Sequence, residues 1–452
     1  MPEPLAARLR QLAALDVESG AVLLARAVRT PAGNIRLLAR DLLEVPDDAY
    51  DRRDEYELLI RSEGYVPALA LADETGCVPI WFHTHPGDEA NPAPSEHDVV
   101  VNESLADVFR LRGESEFYGA LIVAPTGDAI TFTGSLDDGR QVIAIDRLWV
   151  VGSRLALYGG ANADRPEIPA LYDRNVKTFG GPVQEVLQDL RVAIVGCGGT
   201  GSAVAEQLVR LGVRKLDLID PDMLSASNVT RVYGSTLEDI GRPKVEVMAE
   251  HLRRILPDVL VTPIHSTITV EETARQLLDA DIVFGCTDDN AGRMVLSRFA
   301  TYLTTPVIDC GVLISADAEN HLDGIHGRVT VLHPGQACLI CRGRVDLARA
   351  RSELLSAEEL QRLVGEGYAP ALPGVEPAVV AYTSAVAAAA VAELIERLTG
   401  YGAQPVPSEI LLRLHDREMS TNNQMPTERH YCDPAEGKVG LGETKPFLEQ
   451  TW

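Results

Sequence analysis

Residues 191–202 read Arg-Val-Ala-Ile-Val-Gly-Cys-Gly-Gly-Thr-Gly-Ser, an apolar run that breaks into glycines and then into helix-forming residues. Val192–Val195 predicts a buried strand and Gly201–Leu211 a helix. Between them, the missing side chains of Gly196, Gly198, Gly199 and Gly201 let backbone N–H groups approach phosphates at the helix N-terminus. The next strand, Lys215–Ile219, runs into Asp220, which is well placed to bind ribose hydroxyls. The alternation continues through helix Lys244–Leu256, strand Ile282–Phe284, helix Arg293–Tyr302 and strand Pro306–Asp309. Strand and helix in turn predict a mainly parallel, doubly wound α/β sheet of Rossmann type.

The glycine turn and Asp220 alone fit an NAD or FAD site, and an oxidoreductase is then the default. The residues that follow shift the reading. Asp220-Pro-Asp222 precedes Ser227-Asn228-Val-Thr-Arg231, Gly241-Arg-Pro-Lys244 and Cys286-Thr-Asp288-Asp289-Asn290, with Arg293 beyond. A hydride-transfer site has little need of an extra Arg, Lys and Asp. An ATP-consuming adenylation site does: Arg and Lys neutralise the triphosphate and the leaving pyrophosphate, and an Asp can hold Mg²⁺.

This run resembles the ThiF/MoeB-like activating enzymes, the superfamily of ubiquitin-activating enzymes, over residues 170–435. Tyr172-Asp-Arg174-Asn resembles the family's Arg-Tyr-x-Arg-Gln element. Gly327-Arg-Val-Thr-Val-Leu-His-Pro-Gly335, Cys338-Leu-Ile-Cys341 and the helix Ala378–Leu398 also fit. The resemblance implies that Asp220, with Asp222 beside it, binds ribose. Asn228, Arg231 and Lys244 would contact phosphates, and Asp288 would hold Mg²⁺ or position the attacking carboxylate. Arg174 would reach the ATP site of a second protomer, so a homodimer is expected, and Arg293 reads as structural. The implied chemistry is attack by the C-terminal carboxylate of a ubiquitin-like or sulfur-carrier protein on the ATP α-phosphate, giving an acyl-adenylate.

Upstream the texture differs. Short β-rich runs (Ala21–Ala27, Val78–Phe82, Ala120–Val123, Ala129–Phe132, Val142–Ile145) and helical patterns at Pro4–Leu15 and Ser95–Leu105 predict an α+β domain. Within it stands Trp81-Phe-His83-Thr-His85-Pro-Gly87, followed by Ser95 and Asp98. Positions i and i+2 of a strand share a face, so His83 and His85 can present two imidazoles to one ion. Asp98 offers an anionic third ligand, and two His plus one carboxylate with an open position is a catalytic zinc arrangement. Such a metal lowers the pKa of bound water to about 7.

The joint pattern resembles the JAB/JAMM (MPN-like) metalloproteases, which include deubiquitinase-type isopeptidases. The family has a Glu on an early strand, and Glu18-Ser-Gly-Ala-Val-Leu-Leu fits that slot; Glu44 also precedes the histidines. The resemblance assigns His83, His85 and Asp98 to zinc, Glu18 as general base and Ser95 as support for the oxyanion. The gap from His85 to Ser95 is somewhat longer than the family's, which bears on the loop. His97 reads as a surface neighbour.

Seven cysteines without a dense pattern favour a reducing, cytoplasmic setting. Cys338-x-x-Cys341 is half a structural zinc site, and Arg429-His430-Tyr-Cys432 stands where the family usually supplies the other half. A Cys₃His site from Cys338, Cys341, Cys432 and His430 is the expectation. Ubiquitin-type enzymes carry a thioester cysteine after the first Cys-x-x-Cys, but residues 342–375 contain none; they do contain Ser352 and Ser356.

The 452 residues carry 41 basic and 66 acidic side chains, a net charge of −25, which argues against general binding to nucleic acid or anionic membrane. No secretory signal is read at the N-terminus, and the apolar stretch Ala378–Ala392 is too short to span a bilayer. The domain expectation is a JAB-like unit at 1–155, a linker at 156–170, a ThiF-like unit at 171–435 and an irregular tail at 436–452. Function then reads as processing protease plus activating enzyme for a Gly-ending ubiquitin-like protein, with ATP, Mg²⁺ and two kinds of Zn²⁺, and a conjugating enzyme as a further partner. The alternatives are activation of a sulfur carrier for thiamine, molybdopterin or cysteine synthesis, and a scaffold with silent sites.

Overall fold

A computed structural model of the chain describes residues 1–87, 92–127, 129–160, 167–317, 319, 321–365 and 377–452. Two compact units emerge. The first comprises Met1–Arg29, Ile35–Arg165 and Gly440–Gly442; the second comprises Thr30–Asn34, Pro166–Val439 and Glu443–Trp452. Residues 161–166, within the stretch read as a linker, lie outside the described residues.

The first unit opens with α1 (Glu3–Ala13), whose apolar spacing buries Ala6, Leu9 and Ala13. The hairpin β1 (Gly20–Arg29) and β2 (Ile35–Glu44) follows, then a small hairpin, β3 (Tyr50–Arg53) and β4 (Leu58–Ile60). Next come α2 (Val66–Thr75), β5 (Val78–Thr84), α3 (Glu96–Arg112), β6 (Tyr118–Thr126), β7 (Ala129–Asp137) and β8 (Val142–Ala144). A paired β9 (Arg147–Val151) and β10 (Leu155–Gly159) carry the unit past residue 155. The main sheet has the order β2-β1-β5-β6-β7-β8, with only β5 and β6 parallel.

Both faces of this sheet are covered. Ala21, Leu23, Ile80 and Phe82 pack with Ala6 and Leu9 of α1. Val22, Leu24 and Trp81 pack with Ala68 and Leu69 of α2 and Phe109 of α3. The two-residue period of β5 therefore sends Trp81 and His83 toward the α2/α3 face, and this alternation places the histidines opposite α3.

The second unit contains α4 (Asp173–Phe179), α5 (Gly181–Asp189), β11 (Arg191–Val195), α6 (Gly199–Arg210), β12 (Lys215–Ile219) and α7 (Lys244–Ile255). It continues with β13 (Leu260–Ile264), α8 (Glu271–Gln276), β14 (Ile282–Gly285), α9 (Asn290–Tyr302), β15 (Val307–Ala316) and β16 (Leu322–Leu332). The last elements are α10 (Leu347–Glu353), α11 (Ala357–Gly365), α12 (Val380–Thr399), β17 (Glu409–Arg413) and β18 (Glu418–Asn422). Eight strands form one sheet in the order β13-β12-β11-β14-β15-β16-β17-β18. The first five in that order are parallel, as the alternation predicts. The antiparallel extension β16–β18 was not visible in the sequence pattern.

The chain leaves β11 on one side toward β12 and β13, then returns to the other side at β14. That reversal opens a crevice at the carboxyl ends of β11 and β14, where open α/β sheets bind ligands. No helix among the described residues is long and apolar enough to cross a membrane. The C-terminal stretch is irregular, as read, yet Phe447 and Leu448 are buried in it.

Candidate functional site

Two steric requirements build the glycine turn between β11 and α6, and a third glycine leaves it open. Gly196 has φ of +92°, and a Cβ there would lie 2.6 Å from the Cys286 carbonyl oxygen. A Cβ on Gly201 would lie 1.8 Å from the Gly196 carbonyl oxygen, so α6 can start this close to its strand only without a side chain. A Cβ on Gly198 would meet nothing within 4 Å, which leaves the mouth of the turn open. Gly198 is the N-cap of α6 and no side chain caps that helix, so its first N–H groups remain available to an anion.

Asp220, just past β12, is buried and braces the turn. Its Oδ2 accepts from the Cys197 N–H at 2.6 Å and its Oδ1 from the Asp222 N–H at 2.8 Å. Burial pushes its carboxyl upward against the opposing effect of Lys244. Lys244 is itself buried at the start of α7, with Nζ 2.6 Å from Asp222 Oδ2 and 3.6 Å from Asp220 Oδ1. Asn228 is buried, its Oδ1 accepting from the Ser225 N–H at 2.8 Å. Arg231 donates to the Ser227 carbonyl at 3.1 Å, and its side-chain carbons pass close to Gly199. Asp220, Asp222 and Lys244 thus stand together beside the glycine turn, and Arg231 lies against it.

Asp288 is exposed in the loop joining β14 to α9. Arg293, one turn into α9, donates to the Asp288 carbonyl at 3.4 Å and lies 3.8 Å from the buried Asp309. Arg174 is exposed in the first turn of α4. The sequence reading missed a buried polar chain behind these residues. Arg328 contacts Asp309 at 2.5 Å and Thr330 at 2.5 Å, and Thr330 donates to Glu409 at 3.0 Å. Asp309 and Glu409 lie far from Arg328 and Thr330 in sequence and reach them only through the pairing of β15, β16 and β17, so no local signal could have found the chain.

In the first unit, His83 is the next-to-last residue of β5 and lies beside the start of β1, in the register Gly20↔His83. That pairing brings Glu18 to the histidines, with Oε1 4.0 Å from His85 Nε2. Asp98 enters from the first turn of α3, 3.2 Å from His83 Nε2 and 3.4 Å from His85 Nε2. The two Nε2 atoms are 3.2 Å apart. Tetrahedral zinc with Zn–N near 2.0–2.1 Å spaces its ligand atoms about 3.3 Å apart, so this donor set fits that ion.

Burial pushes the Glu18 carboxyl up to about 7. Burial would also raise Asp98, but hydrogen bonds involving His83, His85 and Ser95 outweigh it and hold that carboxyl well below the usual range. Ser95 is the exposed N-cap of α3: its Oγ accepts from the Asp98 N–H and donates to Asp98 Oδ2 at 2.8 Å. It therefore orients Asp98. Glu44 pairs with Arg8 at 3.0 Å, and His97 is exposed. Arg53 was not anticipated; it donates to the Glu18 carbonyl at 2.9 Å and to Ser19 Oγ at 2.6 Å, tying the Glu18 turn to β3.

Cys338, Cys341, His430 and Cys432 converge with all ligand atoms within 4.8 Å of one another. His430 Nδ1 lies 3.6, 3.3 and 3.3 Å from the three sulfurs, and Cys341 Sγ lies 3.6 Å from Cys432 Sγ. A tetrahedral Cys₃His zinc requires S···N near about 3.6 Å and S···S near about 3.8 Å, and the set fits. The other thiols offer no reactive centre. Cys77, Cys197 and Cys310 are buried. Burial raises the Cys197 thiol, and a hydrogen bond with Cys310 together with burial raises Cys286. Ser352 is buried and donates to the Ala348 carbonyl, while Ser356 caps α11 through Glu359. Residues 366–375 of the loop after Cys341 lie outside the described residues.

Against known proteins, the ThiF family profile matches residues 172–433. The molybdopterin-synthase adenylyltransferase of Escherichia coli (strain K12) is 32% identical over 246 residues, 53% of this chain and 86% of that protein. The sulfur carrier protein ThiS adenylyltransferase of the same organism is 36% identical over 160 residues, 35% of this chain and 60% of that protein. Ubiquitin-like modifier-activating enzyme 5 of Culex quinquefasciatus is 31% identical over 170 residues, covering 35% and 41%.

Proposed function

The chain belongs to the ThiF family, and from that membership we propose that its second unit is an ATP-dependent adenylyltransferase for the C-terminal carboxylate of a Gly-ending carrier protein. The observation that carries this is the crevice itself: an open glycine turn on an uncapped helix, with Asp220 and Lys244 buried beside it. The turn and the α6 N-terminus receive phosphates. Asp220 takes the ribose hydroxyls, with Asp222 beside it. Asn228, Arg231 and Lys244 hold and neutralise the triphosphate, and Asp288 would hold Mg²⁺ or orient the nucleophile.

The attacking carboxylate is already ionised, so the unit needs no strong base. Positioning and charge neutralisation supply the rate. Carboxylate oxygen bonds to the α-phosphorus as the bond to the leaving pyrophosphate breaks. Arg174 reaches across to the second protomer of a homodimer. The relatives named for molybdopterin synthase and ThiS favour a sulfur carrier as substrate, and the one named for a ubiquitin-like modifier favours a conjugated protein with a conjugating enzyme downstream. Pyrophosphate exchange that depends on a Gly-ending carrier and is lost in Asp288→Ala tests the assignment; no exchange with any such carrier would sink it.

For the first unit we propose a zinc isopeptidase or processing protease of JAB/JAMM type, carried by the donor spacing of His83, His85 and Asp98. Zinc held there would supply Lewis acidity and a readily ionised water. Glu18, with its carboxyl raised to about 7, would serve as general base toward the attacking water and then as acid toward the leaving amine. Trimming would expose the carboxylate that adenylation consumes. Release of a peptide from a carrier precursor, abolished by Glu18→Gln with zinc content retained, tests this half. Cys338, Cys341, His430 and Cys432 would hold a structural zinc.

A further inference from the structure

Two helix N-termini face the carboxyl ends of β11 and β14, and the chain treats them in opposite ways. The α6 terminus is left without a side-chain cap. The α9 terminus, which begins two residues after Asp288, carries two carboxylates. Asp289, its N-cap, accepts from the Gly292 N–H. Glu353, at the end of α10, accepts from the Ala291 N–H at 2.8 Å and from Asn290 Nδ2 at 3.1 Å. Asn290 in turn accepts from the Asp346 N–H at 2.9 Å, at the other end of α10. The three bonds between α9 and α10 are of normal length, and together they fix α10 onto the first turn of α9.

A free helix N-terminus carries partial positive charge and attracts phosphate or carboxylate. One flanking the candidate ATP crevice would compete with α6 for the triphosphate. We propose that Glu353 is a positioning residue: its carboxylate closes the α9 N-terminus to incoming anions and holds the Asp288 loop in one place. The phosphates are thereby directed to α6, and Asp288 stays free for Mg²⁺ or the carrier's carboxylate. This rests on the adenylation reading of the crevice. Nothing in the sequence marks Glu353, because its partners lie 62 and 63 residues away.

Two readouts use the full chain alone, so they do not depend on the carrier. Deuterium uptake at Ala291 and along Leu347–Glu353 should rise about tenfold or more in Glu353→Ala, because a charge-assisted bond on a helix end is lost. Unchanged protection at Ala291 would overturn the latch. Calorimetric titration with Mg·ATP should give an affinity within about twofold of wild type, since the phosphates bind at α6; a large loss of affinity would overturn the division of labour between the helices. If wild type itself does not bind Mg·ATP, the adenylation reading fails while the uptake result still decides the latch.

The third readout is pyrophosphate exchange with ThiS as the carrier probe. Glu353→Ala should lower kcat about tenfold with the KM for ATP unchanged, and added acetate, filling the vacated cradle, should restore part of it. A merely structural defect would not respond to acetate. An unaltered kcat, or a loss that acetate does not touch, would refute the positioning role.

Discussion

Gly198 and Gly201 are three residues apart in one turn, and alanine at each should fail for a different reason. At Gly201 the new Cβ would sit 1.8 Å from the Gly196 carbonyl oxygen, where contacts under 3.0 Å are essentially never tolerated. Either α6 or the turn must therefore move by about 1.2 Å, the difference of those distances. The turn cannot retreat, because Gly196 already approaches the Cys286 carbonyl at the limit of a glycine. Overpacking costs about 1–3 kcal/mol, and backbone against backbone belongs at the upper end. At about 2–4 °C per kcal/mol for a unit of this size, Tm should fall by about 6–12 °C.

At Gly198 a Cβ meets nothing within 4 Å and the backbone φ is −74°, so Gly198→Ala should fold with Tm within about 2 °C of wild type. Its methyl would stand in the open mouth where phosphates approach. Differential scanning calorimetry with and without saturating Mg·ATP separates the two effects. In wild type, ligand at a hundred times Kd should stabilise the binding unit by about 2.7 kcal/mol, which identifies its transition. Gly198→Ala should lose that ATP-dependent shift at an unchanged ligand-free Tm. A Gly201→Ala chain as stable as wild type would refute the steric account, and a Gly198→Ala chain that still shifts fully with ATP would show that phosphates do not lie against this turn.

Metal analysis should return about two zinc per chain, with His83→Ala removing one and Cys432→Ser the other; an unchanged content in His83→Ala would refute the first site. Asp309 and Arg328 form a buried pair 2.5 Å apart, so Asp309→Asn should cost about 3–5 kcal/mol in urea unfolding and Asp309→Leu with Arg328→Met should recover most of it; a single-variant cost under about 1 kcal/mol would refute the pairing. Incubation with Mg·ATP and a carrier should give no adduct that survives acid but is cleaved by thiol, since Cys197 and Cys286 are held protonated; such an adduct would refute the absence of a thioester cysteine.

What the sequence disclosed follows the range of the interactions. The parallel core β13-β12-β11-β14-β15 was legible because buried parallel strands are continuous apolar runs and their helices repeat at fixed spacing. The glycine turn was legible because only glycine meets its steric demands. Elsewhere local preference yielded no reading. The second strand, Ile35–Glu44, is rich in Leu and Arg, which favour helix, and only pairing with β1 makes it extended. The helix Val66–Thr75 is apolar through most of its length and carries no clear helical stripe. Ser95 illustrates the same limit at a site. Its spacing to Asp98 serves a capping box as well as an oxyanion role, and the hydroxyl is engaged in the box. Arg53 and Glu353 act through partners on other elements, so no motif contains them.

The position of the Cys₃His cluster explains how the antiparallel edge of the second sheet can persist. The strand Glu418–Asn422 is almost wholly exposed, and a two-stranded edge with so little burial is marginal by itself. Two connections hold it. Glu409, fully buried on the neighbouring strand, accepts from Arg344 at 3.0 Å and from Asn422 at 3.1 Å, which ties the edge to the segment that follows Cys341. The cluster then joins Cys338 to His430 across 92 residues. Closing a loop of that length removes about 4.5 kcal/mol of chain entropy from the unfolded state, more than the exposed strand can supply by burial. Three thiolates this close repel one another unless a cation compensates them, so a cross-link here would require a bound metal. The crevice at β11 and β14 does not depend on it, being formed by the parallel core. A metal bound at the proposed site would therefore fix the edge of the sheet and the segment that follows Cys341, while the glycine turn is shaped by its own packing and by Asp220.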